Sequence, residues 1–153
     1  MTIDVGTKDS ELASRLSNFT ARTFVFDGVP CCSIEGLIQS LKFPDPERQR
    51  EICLLEGFRA KRKGKKRKWY LTKMLYWQGK EISRHSEEYQ ALITRIYDVV
   101  SCLPCFREDL LKTGQHKLVH SIGLPDPNYT VLTEEEFCGQ LTRIRERYHA
   151  QEF

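Results

Sequence analysis

Glu35, Gln39 and Lys42 stand at i, i+4 and i+7 in "SIEGLIQSLKF", residues 33–43, so on a helix they form one polar stripe. A carboxylic acid and an amine sharing a stripe can open a glycosidic bond. The acid protonates a leaving nitrogen, and a desolvated lysine serves as nucleophile or as a cation beside developing charge. Two helical turns, about 10 Å along the axis, separate Glu35 from Lys42. Both side chains are long enough for their heads to converge on a ligand, with Gln39 between them. Spacing alone fits a surface helix of weakly coupled charges as well, each pair contributing a few tenths of a kcal/mol.

The same eleven residues state how the stripe is held. Ile34, Leu37, Ile38 and Leu41 recur at helical spacing and predict a buried face. At about 100° per residue the polar stripe is centred roughly 115° from that face, so it borders the core instead of opposing it. The remaining flank carries only Ser33, Gly36 and Ser40, small enough for another element to approach closely.

Two further stretches carry chemistry. Seven of the eight residues from Lys61 to Lys68 are Lys or Arg, and Trp69 and Tyr70 follow. Dense positive charge beside stackable rings suits phosphates and bases, although a solvated charged loop is the commoner origin of such a run. The Pro/Gly-rich loop at 120–132 holds His120 and Asp126, and loops of this kind carry function disproportionately. The six cysteines lack the density of a secreted scaffold. "CLPC", residues 102–105, has neither a second ligand pair for zinc nor a thioredoxin-like surround, so reduced, largely buried thiols are expected. No Walker loop, dinucleotide fingerprint, G-x-S-x-G or H-E-x-x-H occurs. The chemistry expected here needs no metal and no cofactor.

The chain offers a mainly α frame. A short strand is predicted within residues 22–30, ahead of the Asp27-Gly28 turn. Pro46 opens a helix that should end at Gly57, and the basic run should lead into a helix reaching Gly79. Residues 84–101 give the longest periodic segment, with Tyr89, Leu92, Ile93, Ile96, Tyr97 and Val100 inward. A short helix near 106–113 should stop at Thr113-Gly114. Thr133 and Glu136 stand in capping-box register for a last helix running nearly to the end. With 153 residues, 40% hydrophobic and 29% charged, one domain over 1–153 is expected, with its core about 16–148. A net charge of +3 singles out no partner. No run approaches a membrane span, and the polar start resembles no signal peptide, which predicts a cytoplasmic location.

Taken in order, "LSNF" (16–19), "FDGVPCCSIEGLIQSLKF" (26–43), "AKRKG" (60–64), Trp69 and "TGQHKLVHSIGLPDP" (113–127) resemble the NADAR family of YbiA-like N-glycosidases. Its most specific block is S-x-E-x-x-x-Q-x-x-K-F. The resemblance implies a mainly α (α+β), single compact multihelical domain that cleaves N-glycosidic bonds to ribose. Carried over by position, Glu35 and Lys42 are catalytic, and Lys42 is the residue that would form a Schiff base with the opened ribose. Asn18, Gln39, Lys61, Trp69 and Asp126 bind or shape the substrate. Many relatives continue after the aspartate with W-G-x-G; here "DPNYTVLTEEEF" stands instead, and "YWQGKEISRHSEEYQ" is an insertion that suggests a different substrate entrance.

The function this implies is release of ADP-ribose from modified guanine in DNA, with ADP-ribosylated nucleic acid as partner. One alternative is hydrolysis of a phosphoribosyl-amine metabolite of the riboflavin pathway. The other is a non-catalytic module that binds ADP-ribose or nucleic acid.

Overall fold

A computed structural model describes residues 1–151. In chain order the elements are β1 (Thr2–Asp4), α1 (Glu11–Arg15), β2 (Phe24–Phe26), β3 (Val29–Cys31), α2 (Ile34–Ser40), α3 (Pro46–Cys53) and α4 (Gly57–Lys65). A 3-10 turn (Trp69–Leu71), β4 (Met74–Trp77), β5 (Lys80–Ser83), α5 (Glu87–Val100), α6 (Pro104–Lys112), β6 (Lys117–Val119) and α7 (Glu134–Gln151) follow. The fold is α+β: helices dominate, and the strands form three two-stranded sheets. Among the described residues no helix is long and apolar enough to cross a membrane.

The β element expected near 22–30 is a hairpin. Phe24, Phe26, Val29 and Cys31 face the core, paired Phe24 with Cys31 and Phe26 with Val29. Asp27 and Gly28 take φ of 47° and 79°, the left-handed pair that a tight two-residue turn demands. All six residues expected on the inner face of 84–101 are buried in α5. The capping box also forms: Thr133 N donates to Glu136 Oε1 at 2.8 Å, and Glu136 N donates to Thr133 Oγ1 at 3.0 Å.

Three readings are corrected. Residues 69–79 are not a helix ending at Gly79 but a 3-10 turn and the first strand of a hairpin. Leu75 and Trp77 alternate inward with period two, Ile82 faces them across the ladder, and Gln78-Gly79 make the turn at φ 50° and 86°. Gly57 does not close α3, which stops at Cys53. Gly57 opens α4, after an N-cap at Glu56 whose carboxylate accepts from Arg59 N at 3.0 Å. The cysteines divide: Cys31, Cys53 and Cys138 are buried and Cys32 is half-buried, whereas Cys102, just before α6, and Cys105, in its first turn, are exposed. The polar N-terminus, given no element from sequence, supplies β1, which pairs in parallel with β6 through the register Ile3 to Leu118.

Arg84 is also outside the sequence reading. It is 1% exposed, stacks 4.8 Å from the Tyr89 ring, donates to Thr130 O at 3.0 Å and pairs with Glu136. A buried guanidinium needs such partners. They tie the loop at 120–132 and the start of α7 to α5.

Candidate active site between α2 and α4

Ser33 caps α2, its Oγ accepting from Gly36 N at 2.9 Å and donating to Leu55 O at 3.1 Å. Every residue of the helix is buried. The small flank does what its size allows. A Cβ on Gly36 would lie 3.0–3.2 Å from the carbonyl oxygens of Ile52, Cys53 and Leu55, so the end of α3 rests on the helix backbone. The polar stripe, expected at the edge of the core, is covered as well: Glu35 is 8% and Gln39 5% exposed. Its cover is α4. A Cβ on Gly64 would stand 1.7 Å from Gln39 Oε1, so the glycine of "AKRKG" provides the space that Gln39 occupies. The helix ends before Lys42, because Pro44 disfavours helical geometry at Phe43. Lys42 lies one residue beyond the C-cap Leu41.

Burial sets the electrostatics. It pushes the Glu35 carboxyl up, against opposing pulls from the Gln39 hydrogen bond and the charges of Lys61, Lys42 and His120. It pushes the Lys42 ammonium down to about 8; Glu35 acts against that shift and Lys61 adds to it. The two groups are not an ion pair. Gln39 Nε2 donates to Glu35 Oε1 at 2.8 Å, and Lys42 Nζ donates to Gly64 O at 3.4 Å. Gln39 Oε1 is buried with no partner among the described residues, a state that costs a protein about 1–3 kcal/mol when nothing satisfies it. Acid and amine therefore share one enclosure, each biased toward its uncharged form. That combination favours a carboxyl able to deliver a proton and an amine that gives up its charge more readily than a solvated lysine.

Asn18 anchors the other side. Its backbone O accepts from Glu35 N at 2.9 Å and its Oδ1 accepts from Tyr97 Oη at 2.9 Å. Tyr97 is fully buried, and its hydroxyl is held far toward the neutral form by burial, with Glu35 adding to that shift. Sequence counted Tyr97 only as a core residue; the available signal was a phenol on an otherwise apolar face, since a buried hydroxyl needs a partner. Lys61 is exposed and lies 5.4 Å from the Phe19 ring centroid, which Phe58 meets edge-on at 5.0 Å. Phe19 and Phe58 were likewise not singled out.

Trp69 is 6% exposed and belongs to the hydrophobic core. The open ring next to it is Tyr70, 6.4 Å from Tyr129. Asp126 is exposed, and its Oδ1 accepts from Asn128 N at 2.9 Å and Nδ2 at 3.0 Å, an arrangement that shapes its own loop. His120 lies deeper: its Nδ1 meets Val5 O at 2.6 Å, its ring packs edge-on to Phe137 at 5.0 Å, and its charge acts on Glu35. Gly6 and Gly123 leave room for that ring. The insertion at 76–90 packs back on the first hairpin, Trp77 Nε1 donating to Asp27 Oδ2 at 2.8 Å. Among the described residues no three His, Cys, Asp or Glu side chains converge as a metal site would require.

The family described as bacteriophage protein GP30.3 matches residues 11–146. A relative from Enterobacteria phage T4, described as an uncharacterized 17.1 kDa protein in the Gp30-rIII intergenic region, is 33% identical over 135 residues. The match covers 86% of this chain and 88% of that protein. The NMR structure of the E. coli protein YbiA is similar with a TM-score of 0.66 at 21% identity, over 99% of this chain and 87% of that one. The chain has a YbiA-like fold and belongs to the bacteriophage GP30.3 family.

Proposed function

We propose that the protein is an N-glycosidase acting on a ribosyl N-glycosidic bond, and that its reaction is removal of ADP-ribose from modified guanine in DNA. One arrangement carries this reading: Gln39 Nε2 donates to Glu35 Oε1 and packs against Gly64, whose carbonyl accepts from Lys42 Nζ, and burial there favours COOH on the acid and NH2 on the amine. An acid poised above the ordinary carboxylate range is suited to protonating a departing base. Gln39 engages Oε1, which leaves the other carboxyl oxygen to carry the proton. As the C1′–N bond breaks, its electron pair and the Glu35 proton leave with the base. The Lys42 amine forms a bond to C1′; the ring C1′–O4′ bond then breaks, O4′ takes a proton from the lysine nitrogen, and the opened ribose is left as a Schiff base. Water adds at C1′, the bond from C1′ to the lysine nitrogen breaks to restore the amine and release the sugar, and the proton that the water gives up returns to Glu35. Asn18, Gln39, Trp69 and Asp126 would shape the ribosyl and base subsites. Lys61, over the Phe19 ring, is suited to the diphosphate. The resemblance to NADAR N-glycosidases in the 33–43 block and the YbiA-like fold support the assignment.

The test is release of ADP-ribose from ADP-ribosylated DNA by wild type, Glu35→Gln and Lys42→Ala. Release by wild type alone is expected. No release by wild type, or full release by both variants, sinks the assignment. Borohydride added during turnover should trap a ribosyl adduct on wild type that Lys42→Ala lacks.

A further inference from the structure

Most of the charge on α4 does not face the site just described. Ala60 and Gly64 are buried against α2, and Lys61 turns to Phe19. Arg59, Arg62, Lys63, Lys65 and Lys66 line a separate concavity of about 730 Å3, and no other residue type contributes to it. Arg59, Arg62, Lys65 and Lys66 are exposed, and among the described residues none of the five takes part in an ion pair. The helix dipole favours cations in the last turn by about 0.3–1 kcal/mol each, which suits Arg62, Lys63 and Lys65. It does not account for Arg59, which stands in the first turn, where the dipole opposes a cation. Uncompensated like charges in one hollow repel each other; water and salt relieve part of that repulsion at exposed positions, and a polyanion in the hollow relieves it most directly.

We propose that this face of α4 docks the phosphate backbone of a nucleic acid. From Arg59 to Lys66 the face runs about 10 Å along the helix, the axial rise of about three phosphates on one strand. Arg67, stacked 5.4 Å over Phe43, extends it. A membrane surface would call for apolar side chains interleaved with the charges, and the exposed aromatic of α4, Phe58, is engaged with Phe19. The face is also continuous with the site. Lys63 and Lys65 flank Gly64, whose carbonyl accepts from Lys42 and whose bare Cα faces Gln39. A polymer held there is one residue along the chain from Gly64, which meets both Lys42 and Gln39. That this polymer carries the scissile bond rests on the N-glycosidase reading; the docking does not.

The experiment measures anisotropy of a labelled, unmodified DNA oligonucleotide across a salt series, for wild type, Arg59→Gln/Arg62→Gln/Lys66→Gln, and Lys8→Gln/Lys112→Gln/Lys117→Gln. The last has the same change in net charge at exposed positions elsewhere. The α4 variant should bind at least about ten-fold more weakly at low salt, and its log–log salt slope should fall by up to about 3, near one per lost phosphate contact. The control should match wild type. Equal binding by all three proteins, equal losses in both variants, or binding of phosphatidylserine vesicles without DNA binding would overturn the proposal. Release of ADP-ribose from free ADP-ribosyl-guanosine separates the two claims. The α4 variant should keep wild-type turnover on this small substrate, and absence of turnover in wild type would remove the enzyme reading while leaving the docking measurement intact.

Discussion

Helices α2 and α4 lie against each other, and they treat charge in opposite ways. On α2 and just past its end the polar residues lie inside: Glu35 and Gln39 are buried, Gln39 under Gly64 of α4, and Lys42 is half-buried with its amine pushed down to about 8. On α4 the cations lie mostly outside, around a hollow lined by basic side chains alone. Residue type does not distinguish Lys42 from Lys65; desolvation does. An exposed lysine keeps its hydration and its charge, so it can meet phosphates. A lysine lifted out of water gives up charge readily and becomes an amine that can react. Where Gln39 fits under Gly64, the two environments are one residue apart.

The largest test of this contrast is Glu35→Gln. Removal of a general acid should lower kcat by roughly 10²–10⁴-fold, measured on either substrate above. Stability should move the other way. Burial raises the folded-state pKa of Glu35 above the ordinary 4.5, so its stabilising contribution is complete below that value and is lost as pH rises through the raised one. Glutamine has no such loss, so at pH 8 the variant should have a higher urea midpoint than wild type. Lys42→Met is the mirror case. A pKa lowered from 10.5 to about 8 gives stability present above pH 10.5 and lost as pH falls through about 8. The variant should therefore exceed wild type in stability at pH 6, with the advantage fading toward pH 10. A fall in stability with either substitution would mean that the charged forms support the fold.

The next test concerns the boundary between the two helices. A Cβ at position 64 would lie 1.7 Å from Gln39 Oε1 and 2.7 Å from its Cδ. Gly64→Ala should thus displace the amide from Glu35, lower kcat, and cost about 1–3 kcal/mol by overpacking. In a Gln39→Ala background the same substitution should be nearly free, a coupling readable from a double-mutant cycle by denaturant unfolding. Gly57→Ala has no comparable relief: its Cβ would lie 2.5 Å from the Phe19 Cα. That clash is with backbone, and no side-chain substitution removes it.

The contrast between the helices was only half legible in the sequence. The apolar stripe of α2, the six inward residues of α5 and the capping box of α7 were visible because each depends on local periodicity or on a bond three residues away. The burial of Glu35 and Gln39 was not, because it depends on a second helix whose glycine matches Gln39 across 25 positions of chain. The β4–β5 hairpin was missed because a four-residue strand leaves two inward side chains, Leu75 and Trp77, too few to separate period two from a helical face. Tyr97 was read by its ring, while its hydroxyl partner Asn18 lies 79 residues away. The solvated face of α4 needed no partner to be seen, since charge density is a property of the sequence itself.

The smallest effect is the most specific to the pair. Lys61 is the α4 cation that acts on both groups: its charge holds the Glu35 carboxyl down and the Lys42 amine down. In Lys61→Met both values rise. If turnover needs Glu35 protonated and Lys42 free, the limbs of its pH profile are set by these two values, and both limbs move to higher pH whichever group sets which. Lys61 is exposed, so solvent and salt screen its charge and the shift should stay below about one pH unit. For the same reason, raising the salt concentration should move the wild-type profile part of the way in the same direction. Arg62→Gln, one residue along on the outer face, should leave the profile in place. An equal shift from Arg62→Gln would mean that the two faces of α4 share one field, and the division between a desolvated pair and a solvated docking surface would fail.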